Sequence, residues 1–340
     1  MDEGSPVVSP QTRTAVEPRP RRPWVTMVTP DALTHFAWSI GDANPLWVDG
    51  VHAAGSRWGG LIAPPCFLYA VDETTVAPGH EGRERVYTNV AWTWFDAIHA
   101  GDELAVDLVL IEETETEWRR ERGVPIQVGE ARFSRVGGPL IATARTRCAR
   151  PTPADETLTD IEDRSEHWYT SEELEAIEID VLSETPRGAD DRIWEDVQVG
   201  DPVGSVVKGP LSVMDVVAWH AGTQGVSAQP LGHSTGGLSE GRATGPQFVS
   251  WAANAVTNWV GDNGFVHRLT VEMDELVPLG DTTWWQGEVV STPTVGERPL
   301  VELVLRSVNQ LGTSIGRGTA IVALPSREYG PVALPMEYTR

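Results

Sequence analysis

Apolar and polar residues alternate along eight stretches, and these fall into two groups of four. The first group covers 85–94, 103–112, 126–134 and 140–148; the second covers 266–275, 282–290, 301–308 and 314–323. A period of two places alternate side chains on one buried face, which predicts β-strands. A helical period precedes each group. Ala32, Leu33, Phe36, Ala37 and Ile40 fall on one face, with Thr29 placed to cap, Pro30 in the first turn and Asp31 favourable to the helix dipole. In the second half Ser212 can cap, with Asp215 in a capping-box position. A longer apolar helical run then starts at Phe67 and continues to Val71, and its counterpart runs from Phe248 to Val260. Each half therefore reads as a short helix, a Gly/Pro-rich loop, a longer helix and a set of strands. A helix wrapped by an antiparallel sheet is an α+β arrangement.

The two halves also match residue by residue. Trp94-Phe95-Asp96-Ala97-Ile98-His99-Ala100-Gly101-Asp102 parallels Met273-Asp274-Glu275-Leu276-Val277-Pro278-Leu279-Gly280-Asp281, each leading through a Gly-Asp turn into a strand. Gly59 to Phe67 parallels Gly241 to Phe248, and Ala37-Trp38 parallels Ala218-Trp219. All three offsets are roughly 180 residues, the mark of a duplicated unit. The expected organisation is a disordered tail over 1–22, one unit over 23–150, a linker over 151–191, a second unit over 192–326 and a C-terminal tail over 327–340.

Charge narrows the function. The 340 residues carry a formal net charge of −23, which argues against a nucleic-acid partner. Between Asp155 and Asp196 stand 16 acids and three arginines, a net of −13, so the linker reads as a solvated acidic segment. Two cysteines, Cys66 and Cys148, are too few for a disulfide framework and point to a reducing, cytoplasmic setting. No apolar run approaches the ~20 residues of a membrane span, and the N-terminus has no signal-peptide core. Gly232-His233-Ser234-Thr235-Gly236 fits G-x-S-x-G, but lacks the preceding buried strand that a nucleophile elbow needs. Neither a phosphate-binding G-x-x-x-x-G-K-[ST] nor a zinc-binding H-E-x-x-H occurs.

The segment Ile40-Gly41-Asp42-Ala43-Asn44-Pro45-Leu46-Trp47-Val48-Asp49 resembles the G-D-x-N-P-L motif of MaoC-like dehydratases and (R)-specific enoyl-CoA hydratases. Gly59-Gly60-Leu61-Ile62-Ala63-Pro64-Pro65 is similar to the glycine-rich loop of that family. The second half resembles it more faintly, through 215–219 and 241–248. The resemblance implies a double hotdog fold, with two long helices each wrapped by an antiparallel sheet. It also implies reversible addition of water to a trans-2-enoyl thioester on CoA or a carrier protein, with no metal or redox cofactor and a homodimer or hetero-oligomer of hotdog subunits. In the family an Asp and a His hold the water, and a backbone N–H at a helix N-terminus polarises the thioester carbonyl. Gly59, Gly60 and Gly245 are the glycines placed to do so here, and Trp251 is a candidate wall of the substrate tunnel.

The motif departs from the family where the chemistry lies. Asp42 and Asn44 are present, but the His position holds Trp47. In the second half Val226 or Ser227 stands where the Asp is expected, and the His slot falls on Gly232, or on His233 if the longer loop shifts it. The candidate catalytic set is therefore His233 as base, His220 as its rival, and Asp42 and Asn44 supporting the opposite half-site. For Asp42 and Asn44 local backbone hydrogen bonding is the competing role; for His220, which closes a helix, it is an offset to the dipole. His52 and His99 read as surface or packing residues. Trp284 and Trp285 should point to opposite sides of a strand. Three readings stay open: an acyl thioester hydratase or dehydratase with a rebuilt site, a non-catalytic acyl-binding or partner subunit, and an altered hotdog enzyme such as a cyclase or thioesterase.

Overall fold

The computed structural model describes residues 19–118, 121–152, 167–223 and 241–337. Its strands are β1 (Arg19–Arg21), β2 (Val86–Trp94), β3 (Leu104–Trp118), β4 (Glu121–Arg135), β5 (Leu140–Ala149), β6 (Pro202–Lys208), β7 (Phe265–Met273), β8 (Thr283–Ser291), β9 (Thr294–Val295), β10 (Arg298–Asn309) and β11 (Ser314–Ala323). Its helices are α1 (Pro30–Ser39), α2 (Pro45–Val48), α3 (Gly50–Gly55), α4 (Ser171–Ser183), α5 (Val213–Gly222) and α6 (Gly245–Val260), with 3-10 turns at Pro65–Ala70 and Trp194–Asp196.

The strands form one antiparallel sheet in the order β1-β3-β4-β5-β2-β7-β11-β10-β8-β6, with β9 pairing β10 off this path. The order reads the same from either end once the duplication is applied. β2 and β7 each open a strand group, and they pair with each other at the centre, Asn89 opposite Glu272 and Thr93 opposite Arg268. β1 and β6, each ahead of its short helix, close the two outer edges. A pseudo-two-fold axis thus passes between β2 and β7. One continuous core runs through both halves, from Phe36 and Trp92 to Phe248 and Trp285.

The alternation places the strands well. Trp285 is buried and its neighbour Trp284 reaches the other way, donating its indole N–H to Asp180 at 3.0 Å. Thr29 caps α1, and Ser212 and Asp215 form a reciprocal capping box on α5. α1 and α5 lie against each other, with Phe36 and Trp219 in edge contact at 5.9 Å.

Three features depart from the sequence reading. Arg19–Arg21 is a strand rather than part of a disordered tail: it pairs with 106–108, and Arg21 binds the buried carboxylate of Asp72 at 3.0 Å. The C-terminal stretch is also packed: Val332 and Met336 are buried, and the Met336 amide donates to the Phe95 carbonyl. The run after Phe67 is not a long helix. Pro64 and Pro65 delay its start, and it forms the six-residue 3-10 segment Pro65–Ala70, buried from Cys66 onward. Among the described residues only the second half carries a long central helix, α6 of 16 residues. In the linker a helix forms where Ser171-Glu172-Glu173-Leu174 supplies a start signal, α4 beginning at Ser171. α4 packs on β6, and the Tyr169 hydroxyl donates to the Gly280 carbonyl at 2.8 Å.

Candidate functional site

The loop between α1 and α2 carries the G-D-x-N-P residues. α1 ends at Ser39, and Gly41 takes a φ of 65°, a turn that a residue with a side chain rarely adopts. Asp42 follows, 2% exposed. One of its carboxylate oxygens accepts from the Asn44 amide at 3.0 Å, and the other accepts from the Trp47 indole N–H at 3.0 Å. Asn44, also buried, caps α2 by accepting from the Leu46 amide at 3.0 Å. Burial pushes the Asp42 carboxyl above its ordinary value; the Asn44 amide, the Lys208 charge and the Trp47 indole oppose this. The indole is a donor only. It occupies the carboxylate and offers nothing that takes up a proton. Asp42 and Asn44 are thus engaged in local structure.

The glycines fall differently from the expectation. Gly59 sits in a turn with φ of 68°, and Gly60 precedes the Pro64-Pro65 pair, so neither heads a long helix. Gly245 does head α6, but a Cβ there would lie 2.6 Å from the Tyr87 ring, so this ring packs against the helix start. The Tyr87 hydroxyl joins a buried network with Tyr69 at 2.8 Å and Thr74 at 3.3 Å, and burial pushes its pKa up to about 12. His220 is buried in the last turn of α5. His233, and the whole of 232–236, lie outside the described residues.

Two spaces flank the motif loop. A small apolar slot of about 50 Å³ lies between Trp47, Trp58 and Trp94 on one side and the end of α6 on the other. At its rim stands a pair that joins the halves: His52 of α3 and Asp262, just past α6, at 2.6 Å. The Trp58 indole donates to the Asp262 carbonyl at 2.7 Å, and the Asp262 Oδ1 is buried with no partner among the described residues. His52, read from sequence as a surface or packing residue, is part of the clasp between the two units. Replacing it with Ala is expected to cost about 1–3 kcal/mol, because it strands a carboxylate that is 3% exposed. Urea denaturation measures this, and His52→Gln, which keeps a donor, should recover part of the loss.

The larger space is a cavity of about 370 Å³. It is bounded by Gly41 and Ala43 of the motif loop, by Gln247, Trp251 and Asn254 of α6, and by Glu184 and Lys208. Trp251 thus lines a cavity, as its candidacy requires. Glu184, the C-cap residue just past α4, and Lys208, which ends β6, lie 3.6 Å apart with side chains 12% and 11% exposed. The Lys208 ammonium also donates to the Gly41 carbonyl at 2.9 Å. Burial lowers the Lys208 pKa, against the raising effects of Glu184 and Asp42. Burial raises Glu184, against the Lys208 charge and the Val207 amide, which donates to it. Sequence reasoning missed this pair. One signal was available: Lys208 is the only lysine in the chain.

Residues 19–127 match the family model described as FAS1-like, dehydratase domain region. A solved structure described as a MaoC-like dehydratase superposes with a TM-score of 0.67 at 19% identity, covering 90% of this chain and 97% of its own. A conserved hypothetical protein from Mycobacterium tuberculosis, described as having a double hotdog fold, gives 0.59 at 12% identity, covering 94% and 96%. The fold is the double hotdog of the MaoC-like dehydratases. A solved structure described as a MaoC-like dehydratase from Phytophthora capsici gives 0.51 at 11% identity, covering 92% of this chain and 95% of its own. No curated protein sequence matches. In this double hotdog the G-D-x-N-P residues of the first half serve as a fold element, with the Trp47 indole bonded to Asp42.

Proposed function

We propose that the protein is an acyl thioester hydratase or dehydratase that acts on an enoyl-CoA or carrier-bound enoyl substrate through a rebuilt site. The dehydratase-region match over residues 19–127 supports this reaction class, and the fold is compatible with it. The observation that carries the reading is the 370 Å³ cavity beside Gly41 and Ala43, which keeps two largely covered ionisable groups, Glu184 and Lys208, next to the motif loop although neither half shows the Asp–His pair in sequence. The imidazole candidates of the second half, His220 and His233, belong to the same reading. Incubation with crotonyl-CoA and longer enoyl-CoAs is expected to bleach the enone absorbance. His233→Ala then tests the loop histidine: a loss of about 10²-fold or more marks a general base there, and retained activity leaves the acid–base work to groups of the cavity. No bleaching at any chain length removes the reading.

One observation favours a second reading, a non-catalytic acyl-binding or partner subunit. Asp42 is closed off by Trp47 and Asn44, so the first half has no proton acceptor at the family position. Activity that appears only on mixing with a second hotdog protein would select it.

A further inference from the structure

We propose that Lys208 and Glu184 are the acid–base pair of this site, acting on an enoyl thioester whose reactive end occupies the 370 Å³ cavity. This rests on the hydratase reading above and assigns its residues.

The first argument is composition. The chain has 26 basic residues, and Lys208 is the single lysine among them. Arginine serves at every other basic position. Guanidinium stays protonated in proteins, whereas an amine can release its proton when buried. This amine stands on the wall of the 370 Å³ cavity, its side chain only 11% exposed.

The second argument is geometry. Glu184 and Lys208 come from different elements, α4 of the acidic linker and β6 of the second half, and both line the cavity. Gly41 takes one of the three ammonium protons and Glu184 faces a second, which leaves the third for the cavity. The remaining carboxylates near the ammonium are Asp42, behind the motif loop, and Asp215, on the α5 wall. Asp42 is held by Asn44 and Trp47, and Asp215 by the Ser212 cap. Glu184 Oε1 accepts from the Val207 amide, and its Oε2, which faces the ammonium, is the carboxylate oxygen left to accept a proton.

The third argument is unmet polarity. Gln247 Oε1 and Asn254 Oδ1 are buried without partners among the described residues, and both side chains line the cavity. Buried polar groups in folded proteins are nearly always paired. Two acceptors, seven residues and so about 10 Å apart along α6, suit an extended ligand that carries N–H or O–H donors.

The chemistry balances. In hydration, Glu184 takes a proton from water as its oxygen bonds to Cβ. The π pair moves toward the thioester, forming an enolate. Lys208 gives a proton to Cα, and the enolate collapses to restore the carbonyl. The proton on Glu184 then passes to the Lys208 amine across the 3.6 Å pair, and both groups return to their starting states. Dehydration runs the same steps backwards.

The experiment measures kcat and KM on crotonyl-CoA for wild type, Lys208→Met, Lys208→Arg, Lys208→Ala and Glu184→Gln, each checked by circular dichroism and thermal melting. Loss of kcat by about 10²–10⁴-fold is expected for the Met, Ala and Gln variants, with KM changed only a few-fold. Lys208→Arg should not recover kcat, although it keeps the charge beside Gly41. Added ethylamine should restore part of the rate to Lys208→Ala, which a purely structural role would not allow. An active wild type whose folded Lys208→Met and Glu184→Gln variants keep full kcat overturns the pair and leaves the hydratase reading standing. A wild type inactive on every enoyl thioester overturns both.

Discussion

Arg150→Met should unfold the first half before the second and lower the stability of the whole chain by about 4 kcal/mol or more. Arg150 is 2% exposed, and among the described residues no carboxylate binds its guanidinium. It donates instead to the carbonyls of Ala77 at 2.8 Å, Gly79 at 3.1 Å, His80 at 2.9 Å and Glu84 at 2.8 Å, and to the Gln127 side chain at 3.2 Å. These carbonyls belong to the loop between the 3-10 segment and β2. The loop has no regular ladder of its own, so the guanidinium replaces the backbone partners that a helix or strand would supply. Removing it strands several buried acceptors together, each worth about 1–3 kcal/mol if water does not reach it. Lysine is not a substitute, because three donors on a flexible stem cannot reproduce a planar fork of five. The loop leads directly to Tyr87, whose ring packs on the start of α6, so its disorder would also reach the helix that lines the cavity. Urea melts followed by circular dichroism, with proteolysis mapping the first cut, measure both effects. A loss below about 1 kcal/mol with no new cleavage between 77 and 84 would show that the loop is held by other contacts.

The parts legible in the sequence are those where one buried face repeats. Ser314–Ala323 coincides with its alternating stretch, and the other long strands differ from theirs mainly at the ends. β1 was not legible because Arg-Pro-Arg has no apolar residue. Its place comes from the unpaired edge of β3 and from the buried Asp72, neither of which a local pattern contains. The 3-10 segment misled for the opposite reason. Cys66, Phe67, Leu68, Tyr69 and Ala70 are buried on every side, so no face repeats and an apolar run cannot be assigned by period. Trp47 in the motif loop is visible in the sequence, whereas its hydrogen bond to Asp42 is not. The site pairs were not. His52 and Asp262 are 210 residues apart, and Glu184 and Lys208 are brought together by the packing of a linker helix on an edge strand. Only the uniqueness of Lys208 hinted at the second pair.

Trp47→Phe keeps most of the apolar contact with Ala37, Leu46, Ile62 and Ala97 but removes the indole donor, and it should cost about 2–3 kcal/mol near neutral pH. The cost is expected to depend on pH in a defined direction. Burial already holds the Asp42 carboxyl above its ordinary value, with the indole among the groups that oppose the rise. A carboxyl raised in the fold binds its proton more tightly in the native state than in the unfolded one. Its contribution to stability is then full below the unfolded pKa and falls as pH rises through the folded pKa. Without the indole the folded pKa moves further up, so the variant pays most where Asp42 must be charged and least where it is protonated. Urea midpoints of wild type and variant should therefore lie far apart at pH 7.5 and approach each other toward pH 5. Equal separation at both pH values would mean that packing, rather than the Asp42–Trp47 hydrogen bond, is what the indole contributes. Since that bond is what removes Asp42 from acid–base work, the same measurement tests why the chemistry has to be sought across the cavity.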